Sequence, residues 1–306
     1  MDQLLRRVLT AIPADVAELR AWWDATAAER AAWKAPVDRA LVGGALADRI
    51  GFAFAGGYAA ALHTLVPATA GAITALCATE EGGAHPRAIK TSLASDGAGG
   101  FVLDGKKRWG TIASSASWLL VVASTGNDAE GKNRLRVVRV PAGAPGVTIT
   151  PISAPFVPEI PHAEITLANV AVPGDAVLPG DGYDDYLKPF RTVEDLHVHA
   201  ALLGYLIGVV RRHRLGSELL ERLCALAVAT RTLALADAKA ATTHAALAGV
   251  LDLVTGVVGE IEQRWAAAAS APDPEHGRWQ RDRALLQVAG KARAARRERA
   301  WQLLGA

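Results

Sequence analysis

At 306 residues the chain is long enough for a sizeable core and for two or three subdomains. A content of 51% hydrophobic and 21% charged residues excludes an intrinsically disordered chain, and a net charge of +2 points away from a nucleic-acid partner. Two cysteines, Cys77 and Cys224, are too few for a disulfide framework and fit a reducing cytoplasm. Charged residues from Asp2 onward leave no signal-peptide pattern. No run of ~20 uninterrupted apolar residues marks a membrane span. The nearest, Leu41 to Leu62, is broken by Asp48 and Arg49 and reads as a buried core helix.

Residues 1–66 read as helical. Pro13 suits a first turn, and Val16, Leu19, Trp22 and Trp23 follow at helical spacing. Pro36 is read as the end of that element. Asp38 to Leu65 is a second helical run, apolar almost all round, whose Gly51, Gly56 and Gly57 permit close backbone approach. Pro67 stops it.

From about Leu76 to Val172 the period changes to two. Ile89, Thr91 and Leu93 alternate with Lys90 and Ser92. Asp96-Gly97-Ala98-Gly99-Gly100 is a hairpin turn into Phe101-Val102-Leu103, and Asp104-Gly105 is read as a second turn. Leu119 to Ala123 is a short apolar strand, and Asp128 to Asn133 a polar loop. Further strands carry Leu135 to Val140, Val147 to Ile149, and Ile165 to Leu167. Short strands between Gly/Pro turns predict an antiparallel barrel or sandwich rather than a parallel nucleotide-binding sheet. No Rossmann fingerprint or P-loop is present.

After Pro179-Gly180-Asp181-Gly182 the pattern is helical again. Helices are expected over Val193 to His213, Leu219 to Ala248, Val250 to Ala269 and Trp279 to Leu304, with Ser270 to Gly277 as a loop. The chain thus reads as α+β in three parts. These are an N-terminal helical domain (1–75), a middle β domain (76–178) and a C-terminal helical bundle (179–306).

That order, with Thr79-Glu80 at the entry to the β module and Lys107-Arg108-Trp109-Gly110-Thr111 after its first hairpin, resembles the acyl-CoA dehydrogenase superfamily of flavoenzymes. Glu164-Ile165-Thr166-Leu167-Ala168-Asn169-Val170-Ala171-Val172-Pro173 is similar to the strand that closes that family's middle domain. Ala200-Ala201-Leu202-Leu203-Gly204 is similar to its first C-terminal helix. The resemblance covers roughly residues 40 to 210. It implies an antiparallel β-barrel middle domain, FAD as cofactor, an acyl-CoA or related thioester as substrate, and a homodimer or homotetramer. In that reading Leu76, Ala78 and Thr79 line the flavin, Trp109 stacks on it, and Thr111 bonds near its reactive nitrogen. A flavin does need a flat apolar wall with a few fixed donors. Trp109 alone reads more readily as core packing; Thr79, Thr111 and the domain order together turn the reading toward the cofactor.

The chain departs from the family in named places. Gly83-Ala84-His85 stands where the family has Gly-Ser-Asp. Gly83 and Ala84 keep the cofactor-side positions, and His85 becomes a candidate contact to substrate or cofactor phosphate. Arg212-His213-Arg214-Leu215-Gly216 is similar to the family's Arg-x-x-Phe-Gly but arrives earlier, which makes Arg212 a candidate pyrophosphate contact. The usual base, a glutamate before the last helix, has no counterpart, since neither Glu275 nor Glu298 has its setting. A minority of the family carries the base on the first C-terminal helix. Aligning Gly204 with the glycine of that helix places Glu194 there. Glu194 and Asp195 as adjacent carboxylates would raise each other's pKa, though acidic residues also suit a helix start. His197 and His199, two apart on a helix, make poor joint metal ligands, and no Cys/His cluster has zinc spacing.

The resulting expectation is an FAD-dependent oxidoreductase acting on the CH–CH bond of an acyl thioester, with Glu194 as base. The alternative is a non-catalytic partner subunit of a heteromeric relative with weakened FAD binding. A flavin enzyme on a non-CoA substrate is a third reading.

Overall fold

The structure, a computed structural model, describes residues 1–83, 85–153, 156–268 and 273–305. The chain divides into two compact units, one of residues 1–64 with 192–306 and one of residues 65–191.

The first unit is helical. Its elements are α1 (Asp2–Leu9), α2 (Leu19–Ala25), α3 (Ala27–Ala31), α4 (Pro36–Ala45), α5 (Ile50–Leu65), α6 (Lys188–Arg212), α7 (Ser217–Ala234), α8 (Ala241–Ala268), α9 (Pro274–Asp282) and α10 (Gly290–Leu304). Several boundaries differ from expectation. Pro36 starts α4 rather than ending a helix, because its missing N–H costs nothing at the first helical position. The apolar run to Leu65 is two helices. The carbonyl of Leu46, just past α4, is taken by the Trp22 indole at 3.2 Å and the Ala14 amide at 3.0 Å, so the chain leaves the helix there. The break between α7 and α8 falls at Asp237, whose carboxylate accepts from the Lys239 amide at 2.8 Å in an Asx turn. Gly249, the expected break, sits inside α8, where an added Cβ would meet nothing. The expected loop to Gly277 is helical from Pro274, with Asp273 capping the Glu275 amide at 2.9 Å.

The core near the N-terminus is aromatic. Trp22 is fully buried, with its ring 5.6 Å from Phe52 in a stack, and the Arg30 guanidinium lies 3.8 Å from the centre of Trp23. Burial lowers the pKa of Arg30 to about 10, still well above neutrality, so the cation persists over the two indoles. The helices meet through small residues. A Cβ on Gly44 would stand 1.8 Å from the Ala201 carbonyl oxygen, and one on Gly204 would stand 2.0 Å from that of Leu41. Gly57 approaches the His197 carbonyl in the same way, at 2.7 Å, whereas Gly56 makes room for the Trp22 ring.

α6 is the central helix of this unit. Among the described residues two helical stretches are by length and composition long and apolar enough to cross a membrane, Gly182–Arg212 and Ala241–Ala268. The apolar window of the first is 89% buried, as in a core helix, and that of the second 33%. His197 and His199 lie on different sides of α6. His197 donates from Nδ1 to the Val193 carbonyl at 2.7 Å and meets the Thr64 hydroxyl through Nε2 at 3.0 Å, while His199 donates to the Asp195 carbonyl at 2.7 Å. Burial pushes both imidazoles down to about 4, from an ordinary value of 6.5. The unfolded chain therefore binds more protons below 6.5 than the folded one. Stability is full above that pH and falls as the pH drops toward 4, by about 1.4 kcal/mol per pH unit for each imidazole. Urea denaturation at about pH 7 and about pH 5 checks this slope, and an unchanged midpoint would contradict the neutral buried pair.

The second unit is a seven-stranded sheet of β1 (Thr74–Cys77), β2 (Ser92–Ser95), β3 (Phe101–Gly110), β4 (Trp118–Asn127), β5 (Asn133–Pro141), β6 (Val147–Ile152) and β7 (His162–Val172). The order is β1-β4-β2-β3-β7-β6, with β5 on β4. Most pairings are antiparallel, as the sequence pattern predicts; β1 and β2 each pair with β4 in parallel. The Asp96–Gly100 hairpin forms as expected between β2 and β3. Asp104-Gly105 is not a turn. It lies inside β3 at a bulge, where the Asp104 carboxylate accepts from the Asn169 amide at 2.7 Å.

Candidate functional site

The sheet unit builds its most polar interior around Glu80. After β1 the chain makes a tight turn in which Glu80 and Gly83 exchange backbone hydrogen bonds of 3.1 and 2.8 Å. Gly83 sits at φ +98°, a conformation that suits glycine. The turn aims the Glu80 carboxylate inward. It accepts from the Lys107 ammonium at 2.6 Å, the Thr91 hydroxyl at 2.8 Å, and the Thr91 and Lys90 amides at 3.0 and 2.8 Å. The side chains of Lys107 and Glu80 are 1% and 9% exposed. Burial alone would raise the Glu80 carboxyl, but the hydrogen bonds from Lys107 and the two amides outweigh it and hold it below the usual range. Cys77, fully buried nearby, is pushed up to about 12 by burial against the weaker pull of Lys107, so its thiol stays protonated.

This pair ties three segments together: the exit of β1, the approach to β2, and β3. Its second tie is the backbone bond from the Arg108 amide to the Thr79 carbonyl at 2.8 Å. The alternation of β3 then fails. A register shift between Arg108 and Gly110 turns two consecutive side chains outward, so that Trp109 is 50% exposed while Lys107 before it is buried. Bulges of this kind re-aim side chains beside functional sites. Thr111 follows the strand, half-buried. Gly105 permits the arrangement from behind, at φ +148°, because a Cβ there would strike Thr91 at about 2.5 Å.

The other expected residues are more dispersed. Leu76 is half-buried in β1, and Ala78 is buried with its carbonyl 3.4 Å from the Lys107 ammonium. Ala84 lies outside the described residues. His85 is exposed and serves its own turn, where its Nδ1 accepts from the Arg87 amide at 3.3 Å and caps the short stretch Pro86–Ala88. That segment is pinned by Asn133, which donates to the Pro86 and Ile89 carbonyls at 3.0 and 2.9 Å.

Glu194 and Arg212 belong to the helical unit. Glu194 is half-buried on α6. Its neighbour Asp195 is no free carboxylate: Arg293 Nε and Arg296 Nη2 reach it at 2.8 and 2.6 Å. The repulsion expected between the two adjacent acids is thereby offset. Arg212, at the end of α6, is paired with Glu275, its Nε at 3.2 Å, so a phosphate would have to compete with that carboxylate. Among the described residues no cluster of His, Cys, Asp or Glu could hold a metal ion.

The Glu80–Lys107 pair is the element that sequence reasoning missed. The available signal was the lysine inside Lys107-Arg108-Trp109. It alternates with the outward residues of β3 and therefore points in, where a lysine requires a partner.

The family model described as "Acyl-CoA dehydrogenase, middle domain" matches residues 75–170. Over 90 residues the chain is 39% identical to the probable acyl-CoA dehydrogenase YngJ of Bacillus subtilis (strain 168), a stretch that spans 28% of this chain and 24% of that protein. Butyryl-CoA dehydrogenase from Megasphaera elsdenii is similar in structure with a TM-score of 0.68 at 16% identity, over 86% of this chain and 80% of the other. The prolyl acyl carrier protein oxidase AnaB is similar with a TM-score of 0.72 at 15% identity, over 100% and 97%. At these identities the structural likeness concerns the fold, and it bears out the α+β architecture read from the sequence.

Proposed function

We propose, from the acyl-CoA dehydrogenase middle domain that residues 75–170 carry, that this chain is an FAD-dependent oxidoreductase acting on the CH–CH bond of an acyl thioester. The observation that carries the reading is the half-exposed indole of Trp109, turned out of a strand by a bulge and braced by the buried Glu80–Lys107 pair. A large aromatic side chain held rigid at a surface fits a planar ligand better than it fits the core. Thr79, bonded through its carbonyl to the residue before Trp109, and Thr111, two residues beyond it, are assigned the hydroxyl contacts to the cofactor. Leu76 and Ala78 supply apolar lining. A bound flavin provides the hydride acceptor. Glu194 is assigned the α-proton of the thioester, a transfer worth about 10²–10⁴ in rate for a positioned base. In this reading the protein works in the cytoplasm as a homodimer or homotetramer.

The test is direct. Purified protein is incubated with FAD, freed of excess by gel filtration, and its visible spectrum recorded. A yellow protein is expected, and Trp109→Ala is expected to bind FAD at least tenfold more weakly, about 1.4 kcal/mol. A colourless wild type removes the reading. Reduction by a panel of acyl-CoA and acyl-carrier-protein thioesters follows, the latter because AnaB is by name a prolyl acyl carrier protein oxidase. Glu194→Gln is expected to reduce the rate about 10²–10⁴-fold while the bound flavin stays; an unchanged rate takes the base role from Glu194. The engagement of Arg212 by Glu275 favours a second reading, a partner subunit with weakened flavin binding. That reading is supported if FAD is retained only when another chain is present.

A further inference from the structure

Asn133 opens β5 and lies outside the motifs that single out Thr79, Trp109 and Thr111. Its half-buried side chain makes three hydrogen bonds. Nδ2 donates to the Pro86 carbonyl at 3.0 Å and to the Ile89 carbonyl at 2.9 Å, and Oδ1 accepts from the Ser124 hydroxyl. The partners force this orientation. Two carbonyls can only accept, so the amide nitrogen must face them. The Ser124 oxygen is taken by the Gly126 amide at 3.1 Å, which leaves its proton for Oδ1.

The carbonyl of Ile89 and the amide of Lys90 belong to one peptide unit. The carbonyl accepts from Asn133, and the amide donates to Glu80 at 2.8 Å. In a trans peptide these two groups point in opposite directions, so Asn133 and Glu80 grip the unit from its two sides. Hydrogen bonds at both ends of a peptide also polarise it and strengthen each other. The next residue is fixed in the same way. The Thr91 carbonyl accepts from the Ser124 amide at 2.7 Å, while its own amide and hydroxyl donate to Glu80. Residues 86–91 lie before β2, which starts at Ser92, so these side-chain bonds stand where a strand would have its ladder. Glu80 in turn holds Lys107, and the Thr79 carbonyl holds the Arg108 amide, next to Trp109.

We propose that Asn133 is a positioning residue of the oxidoreductase site. It fixes the peptide between Ile89 and Lys90, which fixes the Glu80 carboxylate, and through Lys107 and the Thr79–Arg108 bond it fixes the outward pose of Trp109. The assignment rests on the reading of Trp109 as the wall for the flavin, but the link from Asn133 to Trp109 is measurable without a cofactor.

Fluorine NMR of the full chain labelled with fluorotryptophan tests it, with the Trp109 resonance assigned by its loss in Trp109→Phe. Asn133→Asp keeps the shape and turns acceptor oxygens toward two carbonyls. It is expected to move or broaden the Trp109 resonance and to weaken FAD binding about tenfold. Ser124→Ala removes only the bond to Oδ1 and is expected to move the resonance less, in the same direction. Asn127→Ala, an exposed asparagine opposite Asn133 in the β4–β5 pair, leaves resonance and affinity as in wild type. In a Glu80→Gln background Asn133→Asp is expected to add little, because both act along one path. Circular dichroism verifies that each variant is folded. A Trp109 resonance unmoved by both Asn133→Asp and Ser124→Ala, or moved equally with and without Glu80, overturns the proposal. A wild type that binds no FAD while the resonance still responds to Asn133→Asp removes the flavin reading and supports the link.

Discussion

Replacing Lys107 by methionine is expected to lower the stability of the sheet unit by about 3–5 kcal/mol, because it leaves the Glu80 carboxylate buried without its counter-ion. Methionine fills much of the lysine's volume, so the loss reads on charge more than on packing. Urea denaturation of Lys107→Met, Glu80→Gln and the double variant gives the coupling. The double variant is expected to be more stable than Lys107→Met alone, since a neutral amide carries no unpaired charge, and the two single losses should not add. A loss below about 1 kcal/mol in Lys107→Met would mean that water reaches Glu80. The same variant connects stability to function. Glu80 joins the exit of β1 to Thr91 and to β3, so its collapse frees the Thr79 carbonyl and the strand that presents Trp109. Flavin retention is expected to fall with it, even under conditions where the helical unit keeps its helix signal.

The second large effect is steric. Gly44→Ala and Gly204→Ala each place a methyl group about 2 Å from a backbone carbonyl oxygen of the facing helix, which no rotamer change relieves. Each is expected to cost about 3 kcal/mol or more, read as a lower thermal midpoint with native helix content below the transition. Gly249→Ala, at a position with open space, is the control, and there the methyl group should raise stability by up to about 1 kcal/mol through helix propensity. If Gly44→Ala is as stable as wild type, the two helices do not approach so closely.

How much of this was legible in the sequence depends on the distance over which each feature is decided. The Asp96–Gly100 hairpin was legible because a turn is specified by its own few residues. The helix over Val193 to His213 was legible from its apolar spacing, but the break in the apolar run from Asp38 to Leu65 was not, because the groups that take the Leu46 carbonyl come from Trp22 and Ala14. Pro36 misleads because proline has opposite meanings at the start and in the middle of a helix. Asp104-Gly105 looks like a turn in isolation, yet a carboxylate that bonds Asn169, 65 residues away, makes it a bulge. Lys107 and Glu80 are 27 positions apart, and each by itself looks like a solvated charge. The Asp195 clamp is longer still, reaching 98 and 101 positions to its arginines. Within the candidate site, Thr79, Trp109 and Thr111 were singled out by motif. The outward turn of Trp109 was not, because strand alternation gives no warning of a register shift.

The helical unit is discontinuous in the chain, its first 64 residues separated from the remainder by the whole of the sheet unit. Synthesis runs from one end, so α4 and α5 are complete long before α6 exists. The surfaces around Gly44 and Gly57 that α6 covers must wait in water while more than a hundred residues of sheet are made. The sheet unit, by contrast, has all its strands once Val172 has emerged and can close on itself. The order of synthesis thus allows the sheet unit to fold before the helical unit is complete. The α4–α5 pair is then the segment most exposed to aggregation or to chaperone capture in the interval.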